Sequence, residues 1–301
     1  MSTSGYALID SGEGQKLEQI GPVRFVRPCA HAVWRRQCPD LWSRADAHFT
    51  RGPGGDGSWT WRGGRRRDTW TVEIEGITFV IRTTDFGHLG IFPEQQSNWR
   101  RIKEVVRDMG RNGASPRVLN LFAYTGGSSL AAARAGAQVV HLDASKTSIR
   151  WARENAEASG LGDKPIRWIV DDVRKFIARE IRRQALYDAI ILDPPTYGRG
   201  AKNEIWKIDT DISEFLDGLQ PLLSPEFGFL LLTSHSPGFT PRVLENLVKQ
   251  VVADRPGSYR SEEMECRERE GGRDLPNGAA CFFVSRPESP VSVESPESMS
   301  P

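Results

Sequence analysis

The chain has 301 residues, enough for one large domain or two smaller ones. Its 40 basic and 39 acidic side chains leave a formal charge of +1, so no overall electrostatic pull toward nucleic acid is expected, although a local basic face fits that balance. No apolar run approaches the roughly 18 residues of a membrane span, no apolar core marks a signal peptide, and Cys29, Cys38, Cys266 and Cys281 lack C-x-x-C spacing; this argues against a zinc site or a dense disulfide framework and implies a soluble, cytoplasmic chain with buried free thiols.

Residues 1–98 read as a small, β-rich N-terminal domain, with short strand-like segments at 6–10, 18–26, 58–62, 70–75 and 77–82 between glycine-rich turns. Glu75-Gly76 between two alternating runs predicts a hairpin. Six of the nine tryptophans (Trp34, Trp42, Trp59, Trp61, Trp70, Trp99) fall in the first hundred residues. They either fill a small core with large rings or offer stacking faces to unpaired bases. Arg62-Gly63-Gly64-Arg65-Arg66-Arg67, set among three of them, is either a solvated hairpin tip or a phosphate-binding cluster. The joint that follows, residues 85–95, is rich in glycine and polar side chains and leads into an amphipathic helix at 97–109.

From there strands and helices alternate. Strands are expected at 118–122, 138–142, 167–170, 187–192 and 227–233, and helices at 128–135, 145–159, 173–183, 205–223 and 241–253. Two more strands, 259–266 and 280–285, close the sheet as an antiparallel pair around a polar loop, 268–277, whose glycines imply mobility. The low-complexity stretch 287–301 reads as a disordered tail. Strands separated by crossover helices make an α/β fold with a mostly parallel sheet and helices on both faces, and ligands in such sheets lie at the C-terminal strand ends. Those ends are chemically distinctive. The first runs into the turn Ala123-Tyr124-Thr125-Gly126-Gly127, where glycines let a ligand approach the backbone at a helix N-terminus. The second ends at Asp143, where nucleotide-binding folds place the carboxylate that accepts both ribose hydroxyls. The third ends at Asp171-Asp172, suited to an adenine amino group, and the fourth at Asp193-Pro194-Pro195-Thr196-Tyr197. Each carboxylate alone also suits a helix N-cap.

In this order the motifs Asn120-Leu121-Phe122-x-Tyr124-Thr125-Gly126-Gly127, Asp143, Asp172 and Asp-Pro-Pro-Thr-Tyr resemble those of class I S-adenosylmethionine-dependent methyltransferases, over about residues 76–285. The likeness is greatest to bacterial large-subunit ribosomal RNA methyltransferases of the cytosine-C5 and guanine-N7 kinds. It implies a Rossmann-like seven-stranded methyltransferase domain at 99–286, S-adenosylmethionine as cofactor, and RNA as partner. Asn120, Phe122, Ala123, Tyr124, Thr125 and Gly126 would then face the methionine end, Asp143 the ribose, and Ala144, Asp172 and Val173 the adenine. Phe92 and Gln95 match a Gly-x-Phe-x-x-Gln stretch that folds over the cofactor in the relatives.

Asp193, Pro194 and Tyr197 are expected on the acceptor side. The prolines stiffen the backbone and leave carbonyls directed into the cleft, while Tyr197 stacks on a planar acceptor. Carbon-5 of cytosine generally needs a thiolate added at C6, and the cytosine-C5 relatives carry a cysteine after the fifth strand. Here that stretch is Thr233-Ser234-His235-Ser236, so direct transfer to a ring or exocyclic nitrogen is favoured, with His235 either orienting the acceptor or serving as a plain strand-end residue. An NAD-dependent oxidoreductase is the competing enzyme class, weakened by the missing G-x-G-x-x-G turn. A non-catalytic RNA-binding factor with a relic pocket is the third reading.

Overall fold

The structure is a computed structural model that describes residues 5–285 apart from 55, 65, 200–203, 254 and the side chain at 199. Arg65 and the 287–301 tail therefore lie outside the described residues.

The N-terminal strands are β1 (Tyr6–Gly12), β2 (Gln15–Ile20), β3 (Val23–Pro28), β4 (Ala47–Arg51) and β5 (Gly57–Trp61), with a one-turn helix α1 (Pro39–Trp42) between β3 and β4. They form a five-stranded sheet in sequence order. The single strand expected over 18–26 is two, because Gly21 takes φ +59 and reverses the chain between Ile20 and Val23. A residue with a side chain is strained at that φ, and a Cβ there would also meet Val72 Cγ1 at 2.9 Å.

The predicted hairpin is β6 (Trp70–Ile74) and β7 (Ile77–Ile81). Its two-residue turn has Glu75 and Gly76 both at positive φ, the geometry that matches the twist of the flanking strands. This hairpin does not join the first sheet. It is held instead by the helix at residues 146–158, where Asn155 Oδ1 accepts from the Val80 amide at 2.8 Å and Trp151 Nε1 donates to the Val80 carbonyl at 2.7 Å.

The remaining elements are α2 (Gln96–Met109), β8 (Arg117–Leu121), α3 (Gly127–Arg134), β9 (Gln138–Asp143), α4 (Lys146–Ala158), β10 (Ile166–Val170), α5 (Val173–Arg182), β11 (Ala189–Leu192), β12 (Tyr197–Arg199), β13 (Ile205–Lys207), α6 (Ile208–Asp217), β14 (Phe229–Ser234), α7 (Pro241–Val252), β15 (Gly257–Arg267) and β16 (Asp274–Ser285). Seven strands build one sheet in the order β10-β9-β8-β11-β14-β16-β15, parallel except for β16, which runs antiparallel to both neighbours. The central strands are mostly apolar, and β11 wholly so, because both faces are covered. In β11, Ala189 and Ile191 point into a core with Ile102 of α2, Leu130 of α3 and Ala156 of α4. Ile190 and Leu192 point the other way, onto Phe176 of α5, Phe215 of α6 and Val248 of α7. The first of these cores continues through Phe79 and Trp70 to Phe25 of the N-terminal sheet.

Two further expectations are corrected. The helix expected at 205–223 begins only at Ile208, since Ile205–Lys207 pairs with Tyr197–Arg199 as a small antiparallel hairpin. The polar loop expected at 268–277 shortens to residues 268–273, and it is pinned rather than loose. Arg273 donates to Glu268 Oε2 at 2.8 Å, to Asp10 Oδ1 at 2.9 Å and to the Arg35 carbonyl at 3.0 Å, while the Arg269 amide reaches the Leu8 carbonyl at 2.8 Å. Glu268 and Asp10 are buried, so the loop of the β15–β16 hairpin is tied to β1 across most of the chain. No helix among the described residues is long and apolar enough to cross a membrane.

Candidate active site

Chain order in the sheet reverses between β8 and β11, and a crevice opens at the C-terminal ends of these strands. The chain leaves β8 through a tight turn in which Phe122 (φ +55) and Tyr124 (φ +47) adopt left-handed backbone, followed by Gly126 (φ +92). Such a conformation costs a side-chain-bearing residue about 1–2 kcal/mol, so other bonds have to hold it. The Ala123 amide donates to the Leu142 carbonyl at 3.0 Å and the Tyr124 amide to Asp143 Oδ2 at 2.9 Å. Thr125 Oγ1 donates to the Gly90 carbonyl at 2.8 Å, which ties the turn to the segment that precedes α2. Gly127 is required by packing, as a Cβ there would lie 2.6 Å from the Trp99 ring of α2. Below the turn, Asn120 Nδ2 donates to Ser129 Oγ at 2.8 Å, and Ser129 Oγ meets His141 Nδ1 at 2.9 Å. Burial pushes the His141 imidazole down to about 3, so this layer is uncharged.

Two adjoining cavities follow the strand ends. A narrow recess of about 40 Å³ is lined by Gln95, Asn120, Ala123, Thr125 and Gly126 among others. A wide cleft of about 520 Å³ is lined by Asp143, Ala144, Asp172, Val173 and Pro194 among others. Phe92, Phe122, Tyr124 and Asp193 face both. The structure thus brings together every predicted site residue except Tyr197, which stands 48% exposed on β12 and does not line either cavity.

The acidic strand ends differ in what they already do. Asp143 Oδ1 accepts from the Ser145 amide at 2.8 Å and Oδ2 from Tyr124, so both oxygens are oriented, each with a lone pair to spare. It does not cap α4, because Ser145 does, accepting from the Ser148 amide. Burial raises the Asp143 pKa, and the two amides oppose that. Asp172 does cap a helix: its Oδ1 accepts from the Lys175 amide at 3.0 Å while the residue also lines the cleft. Asp171 pairs with Arg179 instead.

At the fourth strand end, Asp193 Oδ2 accepts from Gln95 Nε2 at 3.2 Å and Oδ1 lies 3.5 Å from His235 Nδ1. Burial alone would raise the Asp193 pKa; the His235 charge and hydrogen bonds overcome it and lower the value. The Pro195 carbonyl is taken by Trp206 Nε1 at 2.8 Å, and the Thr196 carbonyl by the Ile208 amide at 3.1 Å. Trp206 and Glu204 are cleft residues that sequence reading missed, Trp206 because its stretch reads as helix and lies on β13, and Glu204 because it precedes that stretch and belongs to no motif. Trp206 packs on Phe122 with ring centroids 4.9 Å apart. Glu94 was also missed, although the adjacent Gln95 was a visible signal.

The cysteines stay away from this chemistry. Cys281 is fully buried in β16, and burial raises its thiol to about 11; burial raises Cys266 to about 12. The N-terminal tryptophans act mainly as core. Trp70 stacks on Phe25 at 5.8 Å, Trp99 on Phe79 at 5.1 Å, and Trp42 Nε1 donates to Asp10. Arg62, Arg66 and Arg67 are exposed, with Arg66 paired to Asp68.

A family model described as S-adenosylmethionine-dependent methyltransferase matches residues 48–267. A solved S-adenosylmethionine-dependent methyltransferase from Agrobacterium tumefaciens is 40% identical, with a TM-score of 0.88 over 95% of this chain and 92% of that one. SMU.776 in complex with SAH shares the fold, with a TM-score of 0.73 at 17% identity over 95% of this chain and 76% of that one. The chain is 34% identical over 190 residues to a protein of Shewanella baltica (strain OS155) named ribosomal RNA large subunit methyltransferase K/L, covering 62% of this chain and 25% of that one. A protein of the same name from Pseudoalteromonas translucida is 30% identical over 177 residues, 58% of this chain and 24% of that one. The chain thus spans about a quarter of the length of these two relatives. With most of its length matched by the family model, the chain belongs to the S-adenosylmethionine-dependent methyltransferases.

Proposed function

We propose that the chain methylates a base of large-subunit ribosomal RNA, with direct transfer to a ring or exocyclic nitrogen. The observation that carries the reading is the acceptor end of the cleft: Asp193 and Pro194 at the mouth of the strand ends, and no thiol beside them. Support for the substrate comes from the names of the partial relatives.

The residues present fit the cofactor. Asp143 holds two oriented oxygens toward the wide cleft, as a ribose diol requires, while Ala144, Val173 and Asp172 provide apolar walls and a carboxylate for the adenine. Asn120, Phe122, Ala123, Tyr124, Thr125 and Gly126, with Phe92 and Gln95, enclose the narrow recess for the methionine end. When bound, S-adenosylmethionine supplies an electrophilic methyl on a sulfonium centre. The chain's part is alignment and exclusion of water. Asp193 is the hydrogen-bond acceptor for an amine or ring N–H of the base, and Pro194 offers a backbone oxygen beside it, the Pro195 and Thr196 carbonyls being already occupied. Tyr197, at the rim, meets the base from outside. Residues 1–98 serve as an RNA-facing module ahead of a catalytic domain at 99–286, in a cytoplasmic setting.

Cytosine-C5 methylation is disfavoured by the burial and raised pKa of Cys281. The test is mass spectrometry of ribosomal RNA from cells with and without the gene. Loss of one methylated base from the large-subunit RNA supports the reading; an unchanged modification profile refutes it.

A further inference from the structure

His235 follows β14 and lies on the partition between the wide cleft and a second cavity of about 250 Å³, which is bounded by Lys16, Arg27, His31, Glu94 and Asn277. Its two ring nitrogens meet two carboxylates. Nε2 lies 3.1 Å from Glu94 Oε1 and Nδ1 lies 3.5 Å from Asp193 Oδ1. Glu94 is 3% exposed, belongs to the turn before α2, and also accepts from Asn277 Nδ2 of β16. Gln95, its neighbour, reaches the other oxygen of Asp193 and Thr233 Oγ1 at 3.3 Å. Segments from the 93–95 turn, β11, β14 and β16 therefore converge on one imidazole. The Phe92 ring covers it at 5.2 Å.

We propose that His235 is a positioning residue for methyl transfer, which bridges Glu94 to Asp193 and so fixes Asp193 against the acceptor while locking the 93–95 turn over the cofactor recess. The inference rests on the assignment of Asp193 to the acceptor side. An imidazole between two carboxylates donates from both nitrogens only when it is protonated. The remaining surroundings agree with a charged ring. Burial acts against the charge, but Asp193 and then Glu94 outweigh it and raise the pKa to about 10. The nearby His88 is held low, first by burial and then by Arg27, Arg51 and His235 itself, so it adds no competing charge. With a carboxylate on each side and one imidazolium between them, the cluster carries a net single negative charge. That sign suits a site that must accommodate a sulfonium and the positive charge that develops on an alkylated nitrogen.

The experiment uses the full chain and two variants, His235→Gln and Glu94→Gln. Glu94 does not line the wide cleft, so its replacement reaches the reaction through the groups it holds, His235 first and the adjoining Gln95 and Asn277 beside it, and the imidazole titration separates the first route from the others. Nitrogen-detected NMR of the imidazole is expected to show both ring nitrogens protonated at neutral pH in the wild type, with a titration near 10 that falls in Glu94→Gln. Methylation of large-subunit RNA is expected to lose about 10- to 100-fold in kcat in both variants, the penalty of a small misalignment. The dissociation constant for S-adenosylmethionine should rise by only a few-fold as the 93–95 turn loosens over the recess, so that the larger loss stays in kcat. The alkaline limb of the wild-type rate profile should be absent in His235→Gln. A wild-type ring that titrates near its ordinary value overturns the proposal, as does wild-type kcat in His235→Gln. If the wild type leaves the RNA unmethylated, the substrate reading fails, and the NMR titration alone still decides whether the bridge exists.

Discussion

Replacement of Asp143 acts on cofactor binding and on folding together. Its carboxylate accepts the Tyr124 amide at 2.9 Å and the Ser145 amide at 2.8 Å, so Asp143→Ala strands two backbone donors as well as removing a ligand group. The part-buried Tyr124 donor costs about 1–3 kcal/mol when stranded, whereas the exposed Ser145 amide regains water, so the loss is on the order of 2 kcal/mol. At about 2–4 °C per kcal/mol for a chain of this size, the melting temperature should fall by roughly 6 °C. Alanine at this position therefore couples a loss of stability to the loss of binding. Asp143→Asn keeps one acceptor oxygen and turns an amide group toward the other donor, so it costs about half as much stability. For the ligand, each lost hydrogen bond to a charged oxygen is worth about 1.5–3 kcal/mol, or roughly 10- to 150-fold in Kd. The assay is isothermal titration of S-adenosylmethionine into Asp143→Asn at a temperature where circular dichroism shows it folded. A folded variant that binds within threefold of wild type would refute the ribose assignment. An alanine variant that melts with the wild type would refute the structural half.

Three further outcomes are expected. RNA carrying 5-fluorocytosine should form no stable adduct with the protein, and Cys281→Ala should change the rate only through packing; an adduct that vanishes in that variant would restore the cytosine-C5 mechanism. Replacing Arg62, Arg66 and Arg67 together by alanine should flatten the log–log salt dependence of RNA binding by about 0.7–0.9 for each phosphate no longer neutralised, with cofactor affinity unchanged, whereas an unaltered slope would make the cluster a solvated tip. Arg273→Ala leaves the buried Glu268 and Asp10 carboxylates without their cation, a loss of about 3–5 kcal/mol that should lower the melting temperature by on the order of 10 °C; a shift of only a degree or two would mean that the loop does not hold the C-terminal hairpin to β1.

A further pH effect follows from His235. Because its folded pKa is raised to about 10, the stability it contributes is complete below the ordinary histidine value of about 6.5 and is lost as pH rises toward 10. Wild type and His235→Gln should therefore differ in melting temperature at pH 7 and converge near pH 10; a gap that persists at pH 10 would place the difference in packing rather than charge.

What the sequence determined by itself is what local pattern encodes. Strands covered on both faces run almost continuously apolar, as in residues 189–192, and helices that cover one face repeat their apolar residues at helical spacing, as Trp99, Ile102 and Val106 do. Once those elements alternate, the handedness of the crossovers puts all parallel strand ends on one edge, so the turn after β8, Asp143, Asp172 and Asp193 could be assigned to one cleft without coordinates. Only the tertiary structure decided matters that depend on partners distant in sequence. The 205–207 segment is a strand because residues 197–199 lie beside it, not because of its own pattern. The glycines of residues 268–273 suggest looseness, yet Asp10 and Leu8, more than 250 residues earlier, hold that loop in place. The tryptophans are core because Phe25 and Phe79 are there to receive them. His235 next to an aspartate and a glutamate from two other elements is likewise invisible in one dimension: an imidazole takes its charge from its neighbours, and the fold supplies them.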